Sequence, residues 1–132
     1  MSLDDLPKLI YLNRMARTAR IVIPHIPHHV TQRGNRRQLV FFDACDYRQY
    51  LDFLFASCKA FRVEIWAYCL MPNHIHVIAI PQTEDGLKNA FGQTHWAYTR
   101  CLNARHGWHG YLWQGRFFST PMDPAYTLHA VR

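Results

Sequence analysis

The sequence predicts one α+β domain whose elements run β-α-β-β-α-β. Three observations carry that expectation: two stretches with the period of a helix, stretches of alternating apolar and polar residues around them, and turn formers at the joints. The first strand is expected at 28–33 (HHVTQR), with a turn at Gly34-Asn35 after it. Tyr47, Tyr50, Leu51, Leu54 and Phe55 fall on one side of a helix over 43–61, and Asp43 stands where its free N–H groups need an acceptor. In 62–72, Val63, Ile65, Ala67 and Cys69 alternate with Glu64, Trp66, Tyr68 and Leu70, the pattern of a strand. Pro72-Asn73 turns the chain into the next strand, 74–81 (HIHVIAIP), and the two are expected to pair as an antiparallel hairpin. A long helix over 83–107 gathers Leu87, Ala90, Phe91, Thr94, Ala97, Tyr98, Cys101 and Leu102 on one side and stops at Gly107. The last strand is expected within 110–123, and Asp123 and Pro124 open a further helix. Elements in this order make the ferredoxin-like arrangement, an antiparallel sheet with helices on one face.

A chain of 132 residues suffices for one hydrophobic core and is short for two. With 49% hydrophobic and 18% charged residues it is composed like a folded domain, not a disordered segment. No apolar run reaches the roughly 20 residues that cross a bilayer, and no signal-peptide pattern opens the chain, so a cytoplasmic protein without membrane contact is expected. Residues 1–14 differ in character from the rest of the chain; they are read as an N-terminal extension or cloning remnant ahead of a single domain over 15–132, with Met15 as a natural start. Cys45, Cys58, Cys69 and Cys101 are widely spread with no C-x-x-C pair, which argues for free thiols over a zinc knuckle.

Charge points to a class of partner. Fifteen Lys and Arg against nine Asp and Glu leave a formal charge of +6, which favours polyanions. The excess is concentrated in 15–38, where Arg17, Arg20, Arg33, Arg36 and Arg37 are interleaved with His25, His28 and His29 and almost no acid. The planar fork of arginine can donate two hydrogen bonds to one phosphate, so this segment reads either as a DNA-backbone surface or as a solvated basic loop.

MPNHIHVI (71–78) carries the sharpest chemical signal. Alternation along a strand puts His74 and His76 on one face and Ile75 and Val77 on the other. Two neutral imidazoles so placed can grip a divalent metal that takes further ligands from elsewhere. Spacing alone leaves the plainer alternative open, two polar side chains on the solvent face of a sheet.

Three longer stretches go further. HHVTQRGNRRQLVFFDACDYRQYLDFL, AYCLMPNHIHVIAIP and GYLWQGRFFST, in this order, resemble the REP-associated tyrosine transposases, an insertion-sequence branch of the HUH superfamily of single-strand nucleases, and the resemblance runs from about Pro24 to Arg132. It implies a protein that cuts and rejoins single-stranded DNA beside hairpins. His74 and His76 would hold Mg²⁺ or Mn²⁺ against the scissile phosphate, and a tyrosine on the C-terminal helix would attack the phosphorus, leaving a 5′-phosphotyrosine bond and a free 3′-hydroxyl. DNA contacts are implied for Arg33, Asn35, Arg36 and Arg37 in the loop leaving the first strand, and for Trp113, Gln114 and Arg116 in LWQGRF. Arginine can meet phosphate or guanine edges and an indole can stack on an unpaired base, although core packing is an equal alternative for Trp113.

The resemblance is incomplete at one point. In the family, the nucleophile sits in an Arg-Tyr-Ile step of the last helix, and an asparagine four residues later is another metal ligand. AYTLHAVR aligns with the start of that helix and puts Arg132 just before the nucleophile. The expectation is a domain cut off in its C-terminal helix and catalytically incomplete. Tyr126 is the alternative nucleophile, about two helical turns or roughly 10 Å ahead of the expected place. Two other functions are weighed: a hairpin-binding module that does not cut, and an unrelated metal hydrolase, for which Glu64, Glu84 and Asp85 offer no convincing third ligand or base. The expected partners are single-stranded DNA with hairpin ends and, in a dimeric form, a second copy of the chain.

Overall fold

Asp43 decides where the first helix begins. Its carboxylate accepts from the Asp46 N–H at 3.0 Å, and the Asp46 carboxylate reaches back to accept from the N–H groups of Asp43 (3.3 Å) and Phe42 (2.7 Å). This reciprocal box gives acceptors to donors that a helix start leaves open. Asp46 is buried and its other oxygen lies 2.7 Å from the Arg105 guanidinium, so the start of one helix is ion-paired to the last turn of the other.

The computed structural model describes residues 21–123. Along them run β1 (His28–Arg33), a 3-10 turn (Asn35–Arg37), α1 (Ala44–Ala60), β2 (Val63–Met71), β3 (His74–Pro81), α2 (Gly86–His106) and β4 (Phe118–Pro121). The sheet order is β2-β3-β1-β4, with every neighbouring pair antiparallel. That is the ferredoxin-like order expected of the sequence. β2 carries a bulge between Ile65 and Ala67, where its register against β3 shifts by one residue.

Alternation divides the sheet into two faces. Val30 of β1 and Ile75, Val77 and Ala79 of β3 point into the core, where they meet Tyr50, Leu54 and Cys58 of α1 and Leu87, Phe91, Tyr98 and Leu102 of α2. Burial pushes the Cys58 thiol up to about 12, so it is an inert core group. The other face of β1 and β3 carries His29, His74 and His76.

The last strand is much shorter than the sequence pattern predicts. Only Phe118–Pro121 join the ladder, and 110–117 form an irregular loop joined to the residue after β1 by an isolated bridge between Gly34 and Trp113. Gly110 (φ 91°) and Gly115 (φ 60°) take backbone angles that no strand uses, and they break the extended run on both sides of Trp113. The turn expected at Gly34-Asn35 becomes the 3-10 turn, and α2 begins at Gly86 instead of 83. The expected helix from Asp123, with Tyr126, and the 1–14 segment lie outside the described residues.

Two buried polar groups are tied together inside the core. His95 Nε2 and the Tyr50 hydroxyl share a hydrogen bond of 2.8 Å, and the imidazole stacks on Trp113 with ring centroids 4.4 Å apart. Burial pulls the His95 pKa down to about 3. The native state therefore binds fewer protons than the unfolded chain between about pH 3 and 6.5, so this contribution to stability is complete above 6.5 and is lost as pH falls. From pH 7 to pH 5 the unfolding free energy should drop by about 2 kcal/mol through this group. Urea unfolding at the two pH values measures it, and His95→Gln should flatten the difference.

Candidate functional site

The site grows from the pairing of β1 with β3. Thr31 stands opposite His76 and Arg33 opposite His74, and residues directly opposite in an antiparallel ladder point to the same side. His74, His76 and Arg33 thus share the face that points away from the core. His29, two residues before Thr31, joins them, with its Nε2 3.0 Å from His76 Nδ1 and the two rings stacked at 5.2 Å. The His74 and His76 rings stand nearly perpendicular, with centroids 5.1 Å apart.

Hydrogen bonds decide which ring nitrogens remain available. His74 Nδ1 lies 2.7 Å from Asn73 Oδ1; an amide oxygen only accepts, so Nδ1 carries a proton and, in the neutral ring, Nε2 is the nitrogen with the lone pair. If His76 Nδ1 donates to His29 Nε2 in the same way, His76 Nε2 is also left with a lone pair. Burial lowers the pKa of both His29 and His76, and for His76 the neighbouring His29 and His74 lower it further. Imidazoles with open Nε2 atoms suit a borderline divalent cation, and two of them need further ligands, oxygen donors above all where the ion is a hard one such as Mg²⁺. Among the described residues no cluster of three or more His, Cys, Asp or Glu could complete such a site.

Asn73 does more than turn the hairpin. Its carbonyl accepts from Gly34 N–H at 2.8 Å and its side-chain amide donates to the Arg37 carbonyl at 3.3 Å, so one residue fixes His74 and clamps the basic loop beside it. Gly34 is required here, because a Cβ would lie 2.2 Å from the Gln38 carbonyl oxygen. Arg36 (φ 54°) and Arg37 (φ 58°) sit in the left-handed region and are exposed, a strained loop that displays two guanidinium groups.

The two groups of expected DNA contacts, distant in sequence, are stitched side by side. Asn35 N–H donates to Leu112 O (2.8 Å), Gln114 N–H to Arg33 O (2.9 Å), the Gln38 amide to Leu112 O (3.0 Å) and the Gln32 amide to Gly115 O (2.9 Å). Arg33, Arg36, Arg37, Gln114 and Arg116 are exposed and Asn35 is half-buried. Trp113 differs: it is 7% exposed with one ring face against His95, so it packs as core instead of offering a free stacking surface.

Sequence reasoning passed over His29 and Asn73. For His29 the available signal was the second histidine of HH, whose sheet face becomes known only with the β1–β3 register; Asn73 was legible only as a turn former. The neighbouring His28 is structural. Its Nε2 accepts from Ile23 N–H at 3.1 Å, which leaves Nδ1–H to donate to Ile26 O at 2.7 Å. Tyr50 and Tyr98 are buried with pKa values raised by burial, which makes them poor nucleophiles.

Residues 23–132 match the model of the family described as "Transposase IS200 like". Among solved structures, a REP-associated tyrosine transposase bound to a REP hairpin superposes with a TM-score of 0.59 at 20% identity over 84% of this chain; the chain spans 66% of that protein. A protein of Deinococcus radiodurans R1, described as a candidate transposase, superposes with a TM-score of 0.61 at 19% identity, over 86% of this chain and 92% of its own. No curated protein matches the sequence.

Long-range ¹H–¹⁵N spectra of the protein in metal-free buffer at pH 7.5 test the imidazole geometry. His28 and His74 should both show the Nδ1–H tautomer, and Asn73→Ala should release His74 from it while leaving His28 unchanged.

Proposed function

The chain belongs to the IS200-like transposase family, and from that premise we propose that it cleaves and rejoins single-stranded DNA beside hairpins, with Mg²⁺ or Mn²⁺ held by His74 and His76 and a tyrosine as the covalent nucleophile. The observation that carries this reading is the shared face of His74, His76 and Arg33, bordered by the loop that displays Arg36 and Arg37. A bound divalent cation would supply Lewis-acid stabilisation of charge on the scissile phosphate.

The chain's own residues do the rest. On this reading Arg33, across the ladder from His74, holds a non-bridging oxygen of the same phosphate, and its positive charge offsets the charge that builds there. His29 keeps the His76 ring oriented, and Asn73 does the same for His74. Arg36, Arg37, Gln114 and Arg116 meet neighbouring phosphates or base edges and set where the strand enters. The tyrosine oxygen attacks phosphorus as its proton is lost, the P–O bond to the 3′ oxygen breaks, and that oxygen takes a proton to leave as the 3′-hydroxyl. The phosphotyrosine bond keeps the phosphodiester energy for rejoining. Hairpin ends are the proposed partner, as in the solved relative that carries one.

A denaturing gel with a labelled single-stranded hairpin oligonucleotide and Mn²⁺ tests the chemistry. A covalent adduct should form and should be lost in His74→Ala, in His76→Ala and in EDTA. If Tyr126→Phe abolishes it, the nucleophile is Tyr126; if it forms only when the reading frame continues past Arg132, the nucleophile is a later tyrosine. An adduct indifferent to both histidines and to EDTA would overturn the metal assignment, and hairpin binding with no adduct in either length of chain would leave a binding module.

Arg36→Ala and Arg37→Ala should weaken hairpin binding and each reduce the slope of log K against log salt concentration by about one, the signature of a lost phosphate contact. Fluorescence anisotropy across a salt series reads this directly.

A further inference from the structure

β2 brings sulfur to the histidine face. Cys69 pairs with His76 and Met71 with His74 across the β2–β3 ladder, and residues directly opposite in such a ladder point to the same side. The outer face therefore carries a thiol and a thioether in the row next to the imidazoles. Both sulfur side chains are exposed, and Cys69 Sγ lies 3.7 Å from Met71 Sδ. Two sulfurs bound to one tetrahedral ion at about 2.3 Å each stand roughly 3.8 Å apart, so this pair already has the span of two ligands on one centre. A third donor faces it across the ladder, the Nε2 that His76 leaves open when its Nδ1 donates to His29.

Donor type decides the ion. Thiolate and thioether are soft, and together with imidazole they select Cu⁺ over the hard divalent cations that oxygen donors hold. The described residues contain no metal-binding cluster of three or more His, Cys, Asp or Glu, and here the third ligand comes from the thioether of Met71 instead. A monovalent ion suits the set electrostatically, because it cancels the single thiolate charge and adds none beside Arg33, which faces His74.

We propose that Cys69, Met71 and His76 bind one Cu⁺ ion. The ion replaces the thiol proton, which leaves to solvent, and no electron is transferred. His76 is also a ligand in the divalent site proposed above, so bound Cu⁺ takes it away and acts as an inhibitor of cleavage. That second step rests on the transposase chemistry; the binding of Cu⁺ does not.

Anaerobic titration of the reduced chain against the chromophoric Cu⁺ chelator bathocuproine disulfonate tests the site. Wild type should withdraw a single equivalent. Cys69→Ser and His76→Ala should each weaken binding by more than the roughly 10–100-fold that loss of an outer-shell partner costs, and Met71→Leu by about tenfold. Cys45→Ser, which changes the exposed thiol at the start of α1, should leave it unchanged. Copper X-ray absorption should show sulfur and imidazole neighbours together. Affinity that survives Cys69→Ser or falls with Cys45→Ser, or copper without an imidazole, would overturn the assignment.

The electron spin resonance signal of Mn²⁺ separates this site from the divalent one. Cu⁺ should expel Mn²⁺ from wild type and not from Cys69→Ser, which should hold Mn²⁺ as wild type does and melt at the same temperature. Cu⁺ and Mn²⁺ bound to one chain together would overturn the shared ligand and the inhibition with it. A chain that takes Cu⁺ through Cys69 but holds Mn²⁺ in no variant would overturn the divalent assignment and support the Cu⁺ site alone.

Discussion

The antiparallel register between β1 and β3 is the constraint on which the rest depends. Successive side chains on a strand face opposite ways, so a slip of one residue would carry His74 and His76 into the core and expose Ile75 and Val77. A slip of β1 instead would exchange His29 and Arg33 for His28 and Gln32. The chain holds the register at both ends of the pair. His25 N–H donates to Pro81 O at 2.7 Å, and Gly34 N–H donates to Asn73 O at 2.8 Å. Burial of Val30, Ile75 and Val77 holds the middle, because none of them can turn to solvent without losing a place in the core.

This division of labour lets one pair of strands serve two purposes. The inner face gains stability from apolar packing against α1 and α2, and that rigid backing allows the outer face to carry groups that add little stability of their own. Arg36 and Arg37 in left-handed backbone conformations cost on the order of 1–3 kcal/mol each. Hydrogen bonds from Asn73, Asn35 and Gln38 to neighbouring carbonyls offset part of that cost and leave the guanidinium groups outward. A loop held in this way presents charge in a fixed place, and fixed charge discriminates between phosphate positions better than mobile charge does.

Legibility in the sequence followed the range of the interactions. β1, β3, the Asp43 cap and the stop at Gly107 are encoded by residues close in sequence, and each is found where the pattern put it. The His74 and His76 pair was legible because strand alternation is local. The 110–117 loop was misread because apolar and aromatic residues there look like a strand, while two positive-φ glycines and hydrogen bonds to β1 give it another shape. Trp113 illustrates the same limit: its partner His95 lies on α2, and no local pattern tells a core indole from one that meets DNA.

The two faces also share a dependence on pH through different groups. Inside, His95 must stay neutral for Tyr50 and Trp113 to keep their contacts, and burial ensures that it does. Outside, His29 and His76 are held neutral by burial, with His76 lowered further by the adjacent imidazoles. In both places the proton is disfavoured chiefly by the removal of water. The consequence is that falling pH acts on both faces in the same direction. Protonation between histidines would set like charges side by side on the outer face, and protonation of His95 would put an unpaired charge in the core. The fold and the arrangement of imidazoles therefore belong to the same neutral to alkaline range, with sites of titration separated by the thickness of the sheet.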